Sequence, residues 1–173
     1  MSSFRADCSR CCGLCCVVPI MCAVQGFPAD KPAHTPCVHL DRLQRCSIHA
    51  ARQVHGYAAC EDFDCFGVGQ WITQELFAGA RWTDSPEVAR QMFAAYRHWA
   101  PRFEAAALIE AALSHVRDDA REALIARMTA LTSVHASGPF FPTDRGRLRR
   151  ETLTAIRSAL KPTATSAGHV DPL

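Results

Sequence analysis

The most constraining feature of the sequence is the stretch CSRCCGLCC at positions 8–16, which places five cysteines in nine residues. All ten cysteines of the 173-residue chain lie between positions 8 and 65. A disulfide scaffold would have to pair crowded neighbours such as Cys11 and Cys12, and the short loop between vicinal cysteines strains such a bond. The density therefore favours a metal site, while disulfides and free buried or redox thiols stay open as alternatives.

The spacing of the cysteines is typical of a compact metal site, in which a local chelating turn is followed by single cysteines much later in the chain that complete the coordination shell. Cys8 and Cys11 form a C-x-x-C turn, which directs two thiolates at one point and suits a tetrahedral ion with Zn–S distances of about 2.3 Å. Cys15 and Cys16 are adjacent, so they can send one thiolate to each of two nearby centres. Single cysteines then return at positions 37, 46, 60 and 65.

Further motifs accompany the cysteines in a fixed order. They are the CxxC…CC start, Cys37 with Leu40, the segment CSIH at 46–49, the return from Cys60 to Cys65, and DCFGVGQ at 64–70. With these pieces the block from about 4 to 82 resembles the YkgJ-type cysteine-cluster family, the CxxCxxCC proteins, which are described as a zinc- or iron-chelating domain. The last segment is similar to the DCFGAGQ-like signature of one subgroup.

The resemblance implies a set of eight metal ligands and two cysteines outside it. The implied ligands are Cys8, Cys11, Cys15, Cys16, Cys37, Cys46, Cys60 and Cys65. Cys12 is an extra residue before the glycine of the motif, and Cys22 has no counterpart in it, so we interpret both as non-ligands. The Arg-Pro-x-x-Cys segment of many relatives is absent after Arg52, and the pentapeptide repeats of some subgroup members do not follow position 82.

Thiolates suit both zinc and iron, so the sequence leaves the metal open. Eight thiolates can bind two zinc ions, or four can hold an iron–sulfur cluster while four remain. We expect zinc, with iron or an iron–sulfur cluster as the alternative, and a site that is mainly structural or regulatory. An iron–sulfur redox or accessory protein and a thiol-based metal store or sensor are the other candidate functions. We expect His49 to support the site rather than to ligate, since the cysteines suffice.

Other function classes find little support in the sequence. We find no catalytic motif, which favours a non-enzymatic protein and leaves an enzymatic role open. The net charge of +2 and the arginines at 145, 147, 149 and 150 do not by themselves indicate nucleic-acid binding. No apolar run reaches the ~18 residues of a membrane span, so we expect a cytoplasmic protein whose partner is a metal ion. A protein partner is possible but unidentified.

The part of the chain without cysteines has the pattern of helices, so the predicted fold is mainly α. We expect an irregular, metal-organised cysteine-rich domain over 1–82, packed against a helical segment over 83–161, with a flexible tail over 162–173. Ser85-Pro86 predicts a helix start, and Pro101 predicts a break or kink between two helices. Further helices are predicted at 70–78, 118–134 and 144–160 from their apolar spacing and caps.

Overall fold

The computed structural model describes residues 4–133 and 140–161. Regular structure within them is helical, and extended segments meet only in isolated bridges, which confirms the mainly α prediction. The α-helices are α1 (Leu14–Val17), α2 (Ala58–Asp62), α3 (Val68–Trp71), α4 (Pro86–Ala112), α5 (Asp118–Thr132) and α6 (Arg145–Ala159). A π-helical turn over Ile72–Leu76 continues α3. Short 3₁₀ turns cover Cys8–Arg10, Ala23–Gln25 and His49–Ala51. The predicted tail lies outside the described residues.

Helix α4 begins where the sequence predicts. The Ser85 side chain accepts a hydrogen bond from the Val88 N–H at 3.1 Å, and Pro86 occupies the first turn. The N-cap hydroxyl satisfies one of the free amides at the helix start, and proline needs no partner there.

The predicted break at Pro101 is wrong, because α4 runs through it for 27 residues. A proline inside a helix leaves the carbonyl four residues earlier without its usual N–H donor. Here the Arg97 carbonyl accepts from the Thr143 N–H at 3.5 Å. The Thr143 hydroxyl also donates to the His98 carbonyl at 2.9 Å. A residue just before α6 thus supplies the hydrogen bonds that the proline site needs.

A first apolar core joins the cysteine-rich part to the N-terminal half of α4. Its buried members come from α1, α3 and α4 and their neighbours: Cys12, Leu14, Val18, Val68, Ile72, Met92, Ala95, Tyr96, Trp99 and Phe103. Burial of large apolar side chains contributes about 1.5–3 kcal/mol each, so this core is a main source of stability. The predicted boundary between 82 and 83 stays a prediction.

A second apolar core lies between the C-terminal half of α4, α5 and α6, where Ile109, Val116 and Leu124 are buried. Beside it, the buried Glu104 accepts hydrogen bonds from Arg145 at 2.6 Å and Arg149 at 3.2 Å. Two of the four clustered arginines therefore pair with a carboxylate of α4, which ties α6 to that helix. No helix in the described parts of the chain has the length and apolar character of a membrane span.

Candidate metal centre

The CSRCCGLCC stretch folds into two tight turns that bring its thiols together. The Asp7 carboxylate accepts from the Ser9 N–H at 3.0 Å and starts the 3₁₀ turn at Cys8. Gly13 then begins α1 with a positive φ of 71°. A Cβ on Gly13 would lie 2.8 Å from the Gln44 carbonyl oxygen, so both the backbone angle and the space require glycine. As a result Cys15 and Cys16 fall in the first turn of α1.

Seven of the ten cysteines, all of which lie in the described part of the chain, line one cavity of about 540 Å³. They are Cys8, Cys11, Cys15, Cys16, Cys46, Cys60 and Cys65. Each is among the eight predicted ligands. The structure therefore brings cysteines from the start and the end of the motif to a common space. A metal site whose ligands come from distant parts of the sequence requires this.

The other three cysteines occupy different places. Cys37, the eighth predicted ligand, is buried, and its N–H donates to the Cys16 carbonyl at 2.9 Å, so its backbone lies beside that of Cys16. Cys12 belongs to the first core, where its thiol lies 3.3 Å from the Thr73 hydroxyl. Cys22 is not among the residues that line the cavity. None of the ten cysteines forms a disulfide in this structure.

The vicinal pair forms the centre of the thiol group. The sulfur atoms of Cys15 and Cys16 are 3.9 Å apart and share a hydrogen bond. That bond and burial raise the pKa of Cys15 well above its ordinary value. The same bond lowers the pKa of Cys16, and the positive charges of Lys31 and Arg52 act in the same direction. Cys16 therefore loses its proton before Cys15 does.

Four further thiols that line the cavity are held in their protonated form mainly by burial. Burial raises the pKa of Cys11 to about 12, and the pKa of Cys60 to about 11 with added repulsion from Cys16. Burial is also the main cause of the raised pKa of Cys8 and of Cys46. Without a cation these groups are neutral at pH 7, so a metal ion that binds them must displace their protons.

Gly69 and Tyr96 lie beside the thiol group, and sequence reasoning missed Tyr96. A Cβ on Gly69 would lie 2.7 Å from the Cys11 sulfur, so α3 can approach this thiol only with glycine there. Tyr96 of α4 lines the cavity and is buried beside Cys11 and Cys15. Its pKa is raised by burial and then by the charge of Cys15. The apolar pattern of α4 indicates only a core position for Tyr96.

Lys31 organises the loop that follows α1. Its ammonium donates to the carbonyls of Val17 (3.2 Å), Pro19 (2.7 Å), Pro32 (3.1 Å) and Thr35 (2.8 Å). Burial lowers the pKa of Lys31, while the charges of Cys37 and Cys16 oppose that shift. A lysine that bonds four carbonyls thus fixes this loop and places a positive charge near two predicted ligands.

His49 and Arg52 line the outer part of the cavity. The His49 N–H donates to the Cys46 carbonyl at 3.3 Å, so the CSIH segment forms a tight turn around that cysteine. Arg52 forms an ion pair with Glu61 at 3.1 Å, and its charge acts on Cys8 and Cys16. These positions suit residues that support thiolates rather than replace them.

The thiols are gathered but not yet arranged as a coordination shell. Within residues 4–133 and 140–161, no group of three or more Cys, His, Asp or Glu side chains is positioned to hold a metal ion as it stands. The chemistry of the donors nevertheless fits a thiophilic metal, because the cavity gathers seven cysteine thiols and thiolates are preferred ligands of zinc and iron. Binding would have to draw the remaining sulfurs inward.

Comparison with known proteins gives relatives but no activity. The chain is 42% identical over 88 residues to YybG of Bacillus subtilis, an alignment that covers 51% of this chain and 32% of YybG. It is 49% identical over 43 residues to the UPF0153 protein YeiW of Escherichia coli, and 43% identical over 43 residues to a UPF0153 protein of Pseudomonas aeruginosa. Each of these two alignments covers 24% of this chain and 51% of the relative.

These relatives are cysteine-cluster proteins, which confirms that part of the resemblance found in the sequence. The chain spans about a third of YybG and about half of the two UPF0153 proteins. No protein-family model matches the chain, and no solved structure matches it. The DCFGAGQ-like subgroup stays a prediction.

Proposed function

We propose that this chain is a metal-binding protein whose ligands are cysteine thiolates, with zinc as the preferred ion. The ligands are Cys8, Cys11, Cys15, Cys16, Cys37, Cys46, Cys60 and Cys65. The observation that carries the proposal is the cavity of about 540 Å³ that seven of these eight thiols line. The buried Cys37 supports it further, because its backbone is hydrogen-bonded to Cys16 at the edge of the same group.

The surroundings of the thiols fit an anionic metal–thiolate centre. Four thiolates around Zn²⁺ carry a net charge near −2, which needs nearby positive charge or N–H donors. Lys31 and Arg52 both lie within electrostatic reach of Cys16. Gly69 leaves space for the Cys11 sulfur at the start of α3. The chain thus contributes the ligands, compensating charge and room that such a centre requires.

The role of the metal would be mainly structural or regulatory. A structural zinc site is closed by four protein ligands, whereas a catalytic site keeps one position for water or substrate. Eight thiolates are enough to close two such shells. Zinc bound in this way would supply cross-links between distant segments of the chain rather than a reactive water.

Iron held in a sulfur cluster is the second candidate. Cys11, Cys15 and Cys65 pack against the first apolar core, and burial among apolar side chains is one of the factors that set the potential of such clusters. A cluster would make the chain a redox or accessory protein. Storage or sensing through the thiols would instead draw on the extra cysteines, Cys12 and Cys22.

Elemental and sulfide analysis of the full chain, purified without oxygen, tests the proposal. We expect a colourless protein with about two zinc ions per chain, since two tetrahedral thiolate sites use eight ligands. Absorption near 400 nm with stoichiometric iron and sulfide would instead establish the cluster. A protein that binds neither metal on reconstitution, or that has its cysteines in disulfides, would overturn metal binding altogether.

A pair of variants distinguishes the loss of a metal ligand from the loss of any cysteine. Cys60→Ser removes a predicted ligand that lines the cavity, and Cys22→Ser removes a cysteine outside it. We expect Cys60→Ser to lower the metal content and Cys22→Ser to retain it in full. Loss of metal from Cys22→Ser would contradict the ligand assignment.

A further inference from the structure

The predicted ligands are held by two different parts of the fold, which meet at the vicinal pair. Cys11, Cys15 and Cys65 pack against the first apolar core, which none of the other predicted ligands contacts within the described residues. The Cys65 carbonyl accepts from the Val68 N–H at 3.1 Å at the start of α3. Gly69, the second residue of that helix, lies against the Cys11 sulfur. These thiols are therefore fixed by α1, α3 and the core.

A second set of thiols is held by loops on the other side of the vicinal pair. Cys37 joins Cys16 through the backbone hydrogen bond of 2.9 Å. An antiparallel bridge between Leu40 and Cys46 then turns the chain back. Finally, the Cys60 N–H donates to the Tyr57 carbonyl at 3.0 Å, and the Tyr57 ring packs edge-on against the ring of His39, two residues after Cys37, with centroids 5.0 Å apart. Four cysteines are thus linked through local contacts that do not involve the first core.

Cys8 belongs to the first set through the C-x-x-C turn. The Cys11 N–H donates to the Cys8 carbonyl at 3.4 Å, so Cys8 lies one short turn from Cys11. Cys15 and Cys16 are the adjacent residues at which the two sets touch, with their sulfur atoms 3.9 Å apart.

We propose that the eight ligands form two four-cysteine centres, an inner one packed on the core and an outer one held by loops. The inner centre consists of Cys8, Cys11, Cys15 and Cys65, and the outer centre of Cys16, Cys37, Cys46 and Cys60. The proposal rests on the proposed metal binding and goes beyond it by assigning each ligand to a centre.

The two centres should differ in how readily they release metal. Three of the four inner ligands, Cys11, Cys15 and Cys65, are fixed by core packing that persists without metal, so a ligand that dissociates is held close and rebinds. Three of the four outer ligands lie between α1 and α3, where apolar residues such as Val38 (86%) and Val54 (88%) are exposed. Segments with little buried apolar surface open more easily. The outer metal therefore leaves first.

Stepwise removal of metal from the zinc-loaded full chain tests the assignment without any substitution. One equivalent of EDTA is added, exposed thiols are alkylated briefly with N-ethylmaleimide, and the modified cysteines are located by mass spectrometry. We expect new alkylation at Cys16, Cys37, Cys46 and Cys60, and protection of the inner four until a second equivalent is added. Alkylation of a mixed set of ligands, or of all eight at once, overturns the two centres.

Paired variants of the full chain give an independent test through metal content. Cys15→Ser with Cys65→Ser affects one centre and should leave about one zinc, whereas Cys15→Ser with Cys46→Ser affects both and should leave none. Circular dichroism checks that α4 to α6 stay folded in both variants. Equal metal content in the two double variants overturns the assignment. A wild-type chain that binds no metal would instead overturn the proposed function, so the two failures are distinguishable.

Discussion

The loops between α1 and α3 and the long helices α4 to α6 are stabilised in different ways. Among the described residues before position 68, no helix exceeds five residues, and Val24, Val38 and Val54 are 86–96% exposed. Helices α4, α5 and α6 have 27, 15 and 15 residues and bury apolar faces against one another. The helices therefore carry their own source of stability, whereas the loops bury too little apolar surface to offset their conformational entropy.

This difference indicates why the cysteines are confined to one part of the chain. Small irregular structures usually need cross-links or a metal, because their hydrophobic cores are insufficient. The structure contains no disulfide among its ten cysteines, each of which it describes. Thiolate–metal bonds would supply the missing cross-links, and the two parts should then respond differently to metal removal, to changes near the thiols and to changes between helices.

Metal removal should have the largest effect on stability, and it should unfold the loops while the long helices stay folded. Free energies of binding for structural zinc are about 10–16 kcal/mol, so its loss exceeds what the loops can compensate. We expect excess chelator to abolish amide-exchange protection in residues 19–65, while α4 to α6 keep theirs. Hydrogen exchange followed by mass spectrometry measures both regions in one experiment.

Restoration by added zinc is the control for that experiment. Recovery of protection in the loops shows that the change was caused by metal loss rather than by irreversible oxidation of the thiols. Equal loss of protection in α4 to α6 would contradict the comparison, because the helices would then depend on the metal as well. Unchanged protection in the loops after metal removal would also contradict the comparison, because the loops would then not depend on the metal.

A smaller effect is expected from Gly69→Ala. The new Cβ would lie 2.7 Å from the Cys11 sulfur, closer than unbonded atoms approach, so the thiol must shift. Changes around metal ligands typically lower affinity by about 10–100-fold, and we expect a decrease of that order in a competition titration with a zinc-binding dye.

Gly146→Ala is the matched control, because Gly146 lies in α6 and its new Cβ meets mainly the Arg150 side chain, 3.3 Å away. Alanine in a helix is favoured over glycine by roughly 0.5–1 kcal/mol, so this variant should gain stability and keep its zinc affinity. If both glycine variants lost zinc equally, the contact of Gly69 with Cys11 would not explain the effect.

A change between helices should lower stability without changing metal content. Glu104→Gln removes a carboxylate that is 10% exposed and pairs with Arg145 and Arg149. The arginines are 63% and 53% exposed and can hydrate, so we expect a loss of about 1–2 kcal/mol in unfolding free energy, measured by urea denaturation. Glu151→Gln, whose pairs are exposed, should cost less than about 1 kcal/mol. Equal losses would show that burial of Glu104 is unimportant.

Features that depend on neighbours in sequence were predictable, and those that depend on distant residues were not. The cap at Ser85 and the start of α6 at Asp144 follow from local chemistry and are confirmed. The break expected at Pro101 was wrong because Thr143, far along the chain, supplies donors to the affected turn. Sequence spacing around Pro101 contains no signal for that contact.

The same limit applies to the candidate site. The cysteine spacing indicates the thiols that meet in the cavity, and seven of the eight predicted ligands line it. Neither Tyr96 nor Lys31 was predicted to lie near them. The apolar spacing of α4 accounts for Tyr96 as a core residue, and Lys31 bonds carbonyls whose positions only the folded loop determines. Contacts of this kind arise from tertiary structure rather than from a motif.

The smallest effect concerns the charge at the start of α6. The Asp144 carboxylate accepts from the Arg147 N–H at 2.9 Å, and this bond, aided by the charges of Arg147 and Arg150, lowers its pKa below the ordinary 3.8. A lowered folded-state pKa stabilises the fold above the unfolded-state pKa, and the contribution is lost as pH falls through the folded value.

Asp144→Asn keeps a capping oxygen but removes the charge, so it isolates that contribution. We expect the variant to melt at a slightly lower temperature than the wild type at pH 7, and the difference to vanish when the pH falls below the lowered pKa of Asp144. Both proteins are compared in excess chelator, so that metal released at low pH does not contribute. A difference that persists at low pH would assign the effect to the shape of the cap rather than to its charge.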